Sequence, residues 1–218
     1  ADRPGFDFSA SFRGQGKFFK CPVTINKDGE KKDIVVDKWI DDASADYGIE
    51  FLRENKDRPF LLTVGFKSVH GPREPHADFE KEYSGQEAQP VPNLGSLAPL
   101  RPQGARNVDP GNDNILNYFR TLTSADRSLG RLLDELDALG LDKNTIVIFT
   151  SDNGYYLGEH GLGDKRSAYE ESLRLPLLIR SPFHDVEGTT IEPIVLNIDL
   201  ASTIVDLAGV PAPSSFQG

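Results

Sequence analysis

Thr145-Ile146-Val147-Ile148-Phe149-Thr150 runs without a break into Ser151-Asp152-Asn153-Gly154. A short uncharged run rich in β-branched side chains reads as a strand buried on both faces. The polar residues that follow mark its carboxyl end, where Gly154 lets the backbone turn. Phe60-Leu61-Leu62-Thr63-Val64-Gly65-Phe66 is a second run of the same kind, set off by Arg58-Pro59. Between the two runs, Ile115, Tyr118, Phe119, Leu122, Ala125, Leu129, Leu132, Leu133 and Leu136 form an apolar stripe at helical spacing over residues 114–139, stopped by Gly140. Strand, helix, strand is α/β grammar. The expected fold is a three-layer α/β/α domain with a mixed, mainly parallel sheet, and chemistry is expected in loops beyond the carboxyl ends of the strands.

Outward from this centre, residues 35–55 carry Val36, Trp39, Ile40, Ala43, Tyr47, Phe51 and Leu52 on one face, which predicts an amphipathic helix. Shorter helices are expected over 167–173 and 200–208, and a strand over 176–179. The first 33 residues show no sustained period and are read as irregular. Residues 70–111, rich in Pro, Gly, Gln and Arg, form a long loop of the kind that lines a functional rim.

The chain has 218 residues, enough for one sizeable core. Its formal charge of −10 argues against a nucleic-acid or anionic-membrane surface, because no basic cluster is present to neutralise phosphates. No apolar run approaches the roughly 20 residues that cross a bilayer. The single cysteine, Cys21, leaves neither an intrachain disulfide nor a cysteine-built metal site. No methionine occurs, so the sequence reads as trimmed from a longer one.

Asp152 and Asn153 offer a carboxylate and an amide oxygen side by side, hard ligands that suit Ca²⁺ better than a soft metal, with Mg²⁺ the lesser candidate. A plain Asx turn closing the strand uses the same residues. Downstream, Gly158-Glu159-His160-Gly161-Leu162-Gly163-Asp164-Lys165-Arg166 is a glycine-spaced loop in which Lys165 offers a point charge for an oxyanion. A solvated surface lysine and a simple loop histidine fit these positions equally well. The other strand delivers Lys67 and His70 at its carboxyl end. With 4 histidines in the chain, finding His70 and His160 each just after a strand points to a shared rim.

Taken together, residues 60–72, 117–141, 145–165, 169–180 and 197–211 resemble the sulfatase family, and the fold this implies is that of alkaline phosphatase. Phe12-Arg13-Gly14-Gln15-Gly16 and Lys67-Ser68-Val69-His70 look most like the N-acetylglucosamine-6-sulfatase type and related glycan sulfatases. The resemblance implies a sulfuric ester hydrolase acting on a sulfated saccharide in the periplasm, outside the cell or in a lysosome. It implies that Asp152 and Asn153 ligate calcium, that Lys165 contacts the sulfate, and that His70 contacts it or protonates the leaving oxygen. Lys67 and His160 are near matches, taken as substrate-binding. The family also carries paired aspartates, a Cys-x-Pro-Ser-x-Arg signature whose cysteine becomes formylglycine, and a Gly-Lys-Trp-His loop. None occurs here, and Cys21-Pro22-Val23-Thr24 has its proline one place too early. The chain is therefore expected to be the central and C-terminal part of a catalytic domain, inactive by itself. Two other readings fit the same residues: a phosphodiesterase or phosphonate hydrolase of the same superfamily, and a catalytically dead glycan-binding relative.

Overall fold

The computed structural model describes residues 3–94, 96, 108–184 and 188–218. The amino-terminal segment, expected to be irregular, is a three-stranded antiparallel sheet: β1 (Phe8–Ser11), β2 (Cys21–Lys27) and β3 (Glu30–Val36), in the order β1-β2-β3. The signal that reveals it is Asp28-Gly29, which turns the chain with φ of 53° and 88° between the paired residues Lys27 and Glu30. Asp-Gly is favoured in two-residue hairpins because both positions need positive φ. Cys21 lies wholly buried in β2, packed with Phe18, Val23, Val36 and Trp39.

Helix α1 (Ile40–Asn55) starts later than the apolar period suggests, because Val35 and Val36 complete β3. Asp41 and Asp42 occupy its first turn, where the helix dipole favours carboxylates. Asn55 closes the other end by donating Nδ2 to the Phe51 carbonyl, ahead of Arg58-Pro59. Helix α2 (Asn112–Ala138) lies against it. Between them Ala45, Leu52, Leu132 and Leu136 form a core, each buried leucine contributing about 2 kcal/mol. Asp42 accepts from Arg127 at 2.8 Å and from the Ser128 hydroxyl at 2.6 Å, while Arg53 grips Glu135 through two 2.7 Å bonds.

Gly48 sits where α1 packs against Leu132 of α2. A Cβ there falls 2.7 Å from Leu132 Cδ2 and 3.4 Å from Val64 Cγ2. Gly48→Val is expected to lose about 1–3 kcal/mol in denaturant unfolding. Gly48→Ala should be close to neutral, since the Leu132 tip yields and alanine favours the helix by roughly 1 kcal/mol.

Residues 60–66 run extended, with Phe60, Leu62, Val64 and Phe66 packed on the helices and Leu61, Thr63 and Gly65 turned outward. Among the described residues no strand pairs with this run, so it forms no ladder and the expected strand is absent there. β4 (Val147–Thr150) pairs antiparallel with β7 (Leu177–Arg180), Thr150 opposite Leu177. Between them in sequence lie the short hairpin of β5 (Tyr156–Leu157) with β6 (Gly163–Asp164), and the one-turn helix α3 (Glu170–Leu173). Helix α4 (Asp199–Leu207) follows β7. The α/β class stands, but the ladders among the described residues are antiparallel, where a mainly parallel sheet was expected. No described helix is long and apolar enough to cross a membrane.

Candidate functional site

The chain leaving β4 turns at once. Ser151 Oγ donates to the Asn153 carbonyl at 3.0 Å, and Asn153 Nδ2 donates to the Gly154 carbonyl at 2.7 Å. The Gly154 N–H then donates to the Ser172 carbonyl of α3 at 2.9 Å. A Cβ at Gly154 would collide with the Glu171 carbonyl, so only glycine lets the turn sit this close to α3. The same Ser172 donates its hydroxyl to the Lys165 carbonyl at 2.8 Å. One buried serine thus fastens both the Asp152 turn and the Lys165 segment.

Their side chains remain available. The Asp152 carboxylate is exposed and, among the described residues, makes no hydrogen bond or ion pair. The amide nitrogen of Asn153 is engaged, which leaves Oδ1 as its outward acceptor. Lys165 is half-buried and its ammonium has no described partner, whereas neighbouring Arg166 is paired with Asp164 at 2.9 Å.

The His70 turn is held from below by Asp41. This carboxylate, fully buried, accepts from the Lys67 N–H at 2.6 Å, the Ser68 N–H at 3.0 Å and the Ser68 hydroxyl at 2.5 Å. Burial pushes its pKa up, and the three donors oppose that. The His70 N–H closes the turn on the Lys67 carbonyl at 2.9 Å. Its exposed ring donates Nδ1–H to the Gly71 carbonyl at 2.7 Å, because a carbonyl can only accept. Nε2 is then the nitrogen left for a ligand.

Lys67 and His160 are placed differently. Lys67 is 5% exposed; its ammonium lies 4.7 Å from the Phe18 ring centroid and reaches the Gly71 carbonyl at 3.4 Å. Burial lowers its pKa, with Asp41, Cys21 and Glu74 opposing. His160 stacks on Tyr169 with centroids 4.2 Å apart, and its Nε2 lies 3.2 Å from both Glu171 Oε1 and Asn93 Nδ2. Burial opposes ionisation of Glu171, but its own backbone N–H, Asn93 and His160 outweigh this and hold its pKa below the usual value. His160 also accepts φ of 54°, and its N–H meets the Asn93 carbonyl. Both side chains hold loops together.

Arg73 links the segment that follows the His70 turn to the segment that follows the Asp152 turn. Its guanidinium lies over Tyr118 and over Tyr155, which directly follows the Asp152 turn, and it donates to Asn114 of α2. Neither Arg73 nor Ser172 stood out in the sequence, since an arginine in a polar loop and a helical serine are common; only their contacts single them out. His76 packs edge-on against Trp39 and lies 3.5 Å from Asp42, a structural placement. Among the described residues no group of three or more His, Cys, Asp or Glu side chains converges as a metal site. Asp152 and Asn153 have the hard-oxygen chemistry of a calcium site but supply only part of the six to eight ligands that ion takes.

The sulfatase family model matches residues 5–210. An N-acetylglucosamine-6-O-sulfatase of Bacteroides thetaiotaomicron is 47% identical over 102 residues, which cover 47% of this chain and 18% of that protein. A Drosophila melanogaster extracellular sulfatase SULF-1 homolog is 32% identical over 220 residues, covering 93% of this chain and 19% of that one. A solved structure with its substrate D-glucosamine-2-N,6-O-disulfate bound superposes with a TM-score of 0.86 at 27% identity, over 100% of this chain and 58% of that one. The chain spans less than a fifth of the length of these two curated relatives. With an alkaline phosphatase-like fold and a family match along nearly its whole length, this chain belongs to the sulfatase family.

Proposed function

We propose that the protein takes part in hydrolysis of sulfate esters on sulfated saccharides, at the rim formed by the Asp152 turn, Lys165 and the His70 turn. The observation that carries this reading is the joint anchoring of the Asp152 turn and the Lys165 segment on Ser172, with the Asp152 carboxylate, the Asn153 amide oxygen and the Lys165 ammonium free of partners among the described residues, in a sulfatase chain. The names of the relatives, one of them with a doubly sulfated glucosamine, support a glycan substrate.

A sulfate monoester carries one negative charge over three oxygens. Lys165 is placed to stabilise charge that builds there during attack. His70, protonated at Nε2 and braced through Nδ1 by Gly71, is suited to give its proton to the departing sugar oxygen, leaving a neutral alcohol. Asp152 and Asn153 would hold calcium, whose chemistry is to polarise the sulfuryl oxygens. Cys21 is buried in the core, so the formylglycine nucleophile that the resemblance implies is assigned outside residues 1–218. Lys67 and His160 act as positioning residues in this scheme, because their polar ends face protein partners. The Drosophila relative is named extracellular, and we place the activity outside the cytosol, in the periplasm, at the cell surface or in a lysosome.

The test is release of inorganic sulfate by the full-length protein from a 6-O-sulfated glucosamine and from an aryl sulfate, beside a phosphodiester and a phosphonate ester, with and without a chelator. Sulfate release that falls with chelation is expected. Faster cleavage of the phosphorus esters would move the protein to the hydrolases that share the fold, and saccharide binding without cleavage would leave a lectin-like relative.

A further inference from the structure

Arg73 carries an unfilled donor edge. Its Nη1 donates to Asn114 Oδ1, in the first turn of α2. Among the described residues neither its Nε, which is enclosed by protein, nor its Nη2 has an acceptor. In a guanidinium, Nε–H and Nη2–H lie side by side in one plane, the fork that matches two oxygens of a carboxylate or a sulfate. A buried donor left without an acceptor is destabilising, so an oxyanion on this edge would remove a penalty as well as add a charge-assisted pair. The guanidinium carbon is held 5.2 Å from the Tyr118 ring centroid and 5.0 Å from that of Tyr155, which restricts its orientation. The N-terminal turn of α2 adds a field that favours anions. Glu159, the carboxylate near Tyr118, is engaged by the Leu157 N–H at 2.5 Å and does not fill the fork.

Position gives the edge a purpose. Arg73 follows His70 by one turn of loop, and Tyr155 adjoins Asp152-Asn153-Gly154, so the fork flanks the rim where the sulfate ester is placed. Arg73 is half-buried, and Tyr155, against which its guanidinium lies, is 39% exposed. We infer that Arg73, with Tyr155 and Tyr118, forms a subsite for a second anionic substituent of the saccharide, a sulfate, sulfamate or carboxylate distinct from the ester being cleaved. The assignment rests on the sulfate-ester reading above, and it makes Arg73 a determinant of specificity with no part in the chemical step.

The experiment compares glucosamine carrying both N- and 6-O-sulfate with glucosamine carrying the 6-O-sulfate alone, on full-length protein, by turnover and by titration calorimetry. Arg73→Gln is expected to lower kcat/KM for the disulfated sugar roughly 10- to 100-fold, chiefly through KM, as removal of one charged pair does. The monosulfated sugar should lose much less, its loss reflecting only the contacts of Arg73 with Tyr118, Tyr155 and Asn114. Arg73→Lys should fall between, since an ammonium keeps the charge and loses the fork; it also carries the test if Arg73→Gln lowers the melting temperature. Equal losses on both sugars, or none on either, overturn the subsite. If wild-type protein releases no sulfate, the hydrolysis reading fails by itself, and the calorimetric ratio between the two sugars in wild type and variants still decides Arg73.

Discussion

Lys165→Ala in the full-length protein is expected to lower kcat for a sulfate ester by about 10²–10³-fold, the usual loss when one donor to a developing oxyanion is removed. The fold should not suffer. Lys165 is tied to α3 through its backbone carbonyl, which alanine retains, and its ammonium has no described partner to lose. Lys165→Arg should recover part of the rate, because charge is kept while reach and shape change. A variant that melts like wild type and turns over at the wild-type rate removes Lys165 from the site.

Asp41→Ala should have the largest effect on stability. It leaves the Lys67 N–H, the Ser68 N–H and the Ser68 hydroxyl without their acceptor beneath the turn that carries His70. Each buried donor so abandoned costs about 1–3 kcal/mol, and some water will reach half-buried Ser68, so a total on the order of 3 kcal/mol is expected in denaturant unfolding. Activity should fall further than unfolding alone explains, because the His70 turn closes on Lys67. The pH dependence has a definite sign. Burial raises the Asp41 pKa above its ordinary 3.8, so the folded chain binds this proton more tightly than the unfolded chain does. From this group alone, stability falls as pH rises from about 3.8 to the raised value and is level above it. The variant should lack that segment of the profile. Identical slopes for wild type and Asp41→Ala through this window would contradict the assigned burial.

The parts of the molecule that were legible in sequence are those governed by local period. Leu132 and Leu136 fall on the stripe that buries α2, and the observed helix, Asn112–Ala138, departs from the reading by one or two residues. The β4 run does form a strand, although Phe149 is 37% exposed where burial on both faces was expected, and the turn after it follows the pattern, since Gly154 must be small to lie on Glu171. What escaped was decided by partners distant in sequence. Residues 60–66 have a strand's composition, yet a ladder needs a neighbour, and none is paired with them among the described residues. The β1-β2-β3 sheet was hidden because β1 is only 4 residues long and β3 opens on the charged run Glu30-Lys31-Lys32-Asp33, although Asp28-Gly29 announced the hairpin. In the site, the position of Asp152 and Asn153 in a turn beyond the end of β4 could be anticipated, whereas the run before His70 forms no strand among the described residues. The inward turn of Lys67 onto Phe18, and of His160 onto Glu171 and Tyr169, could not, because a buried lysine or histidine differs from a rim residue only in what packs around it.

A crystal structure of the full-length protein with calcium and a slowly cleaved sulfated glucosamine tests the central claim most directly. A cation is expected roughly 2.3–2.6 Å from oxygens of Asp152 and Asn153. The ester sulfate should lie within hydrogen-bond distance, about 2.7–3.2 Å, of Lys165 Nζ and His70 Nε2. A sulfated sugar bound elsewhere, with Asp152 and Lys165 both facing solvent, would contradict it.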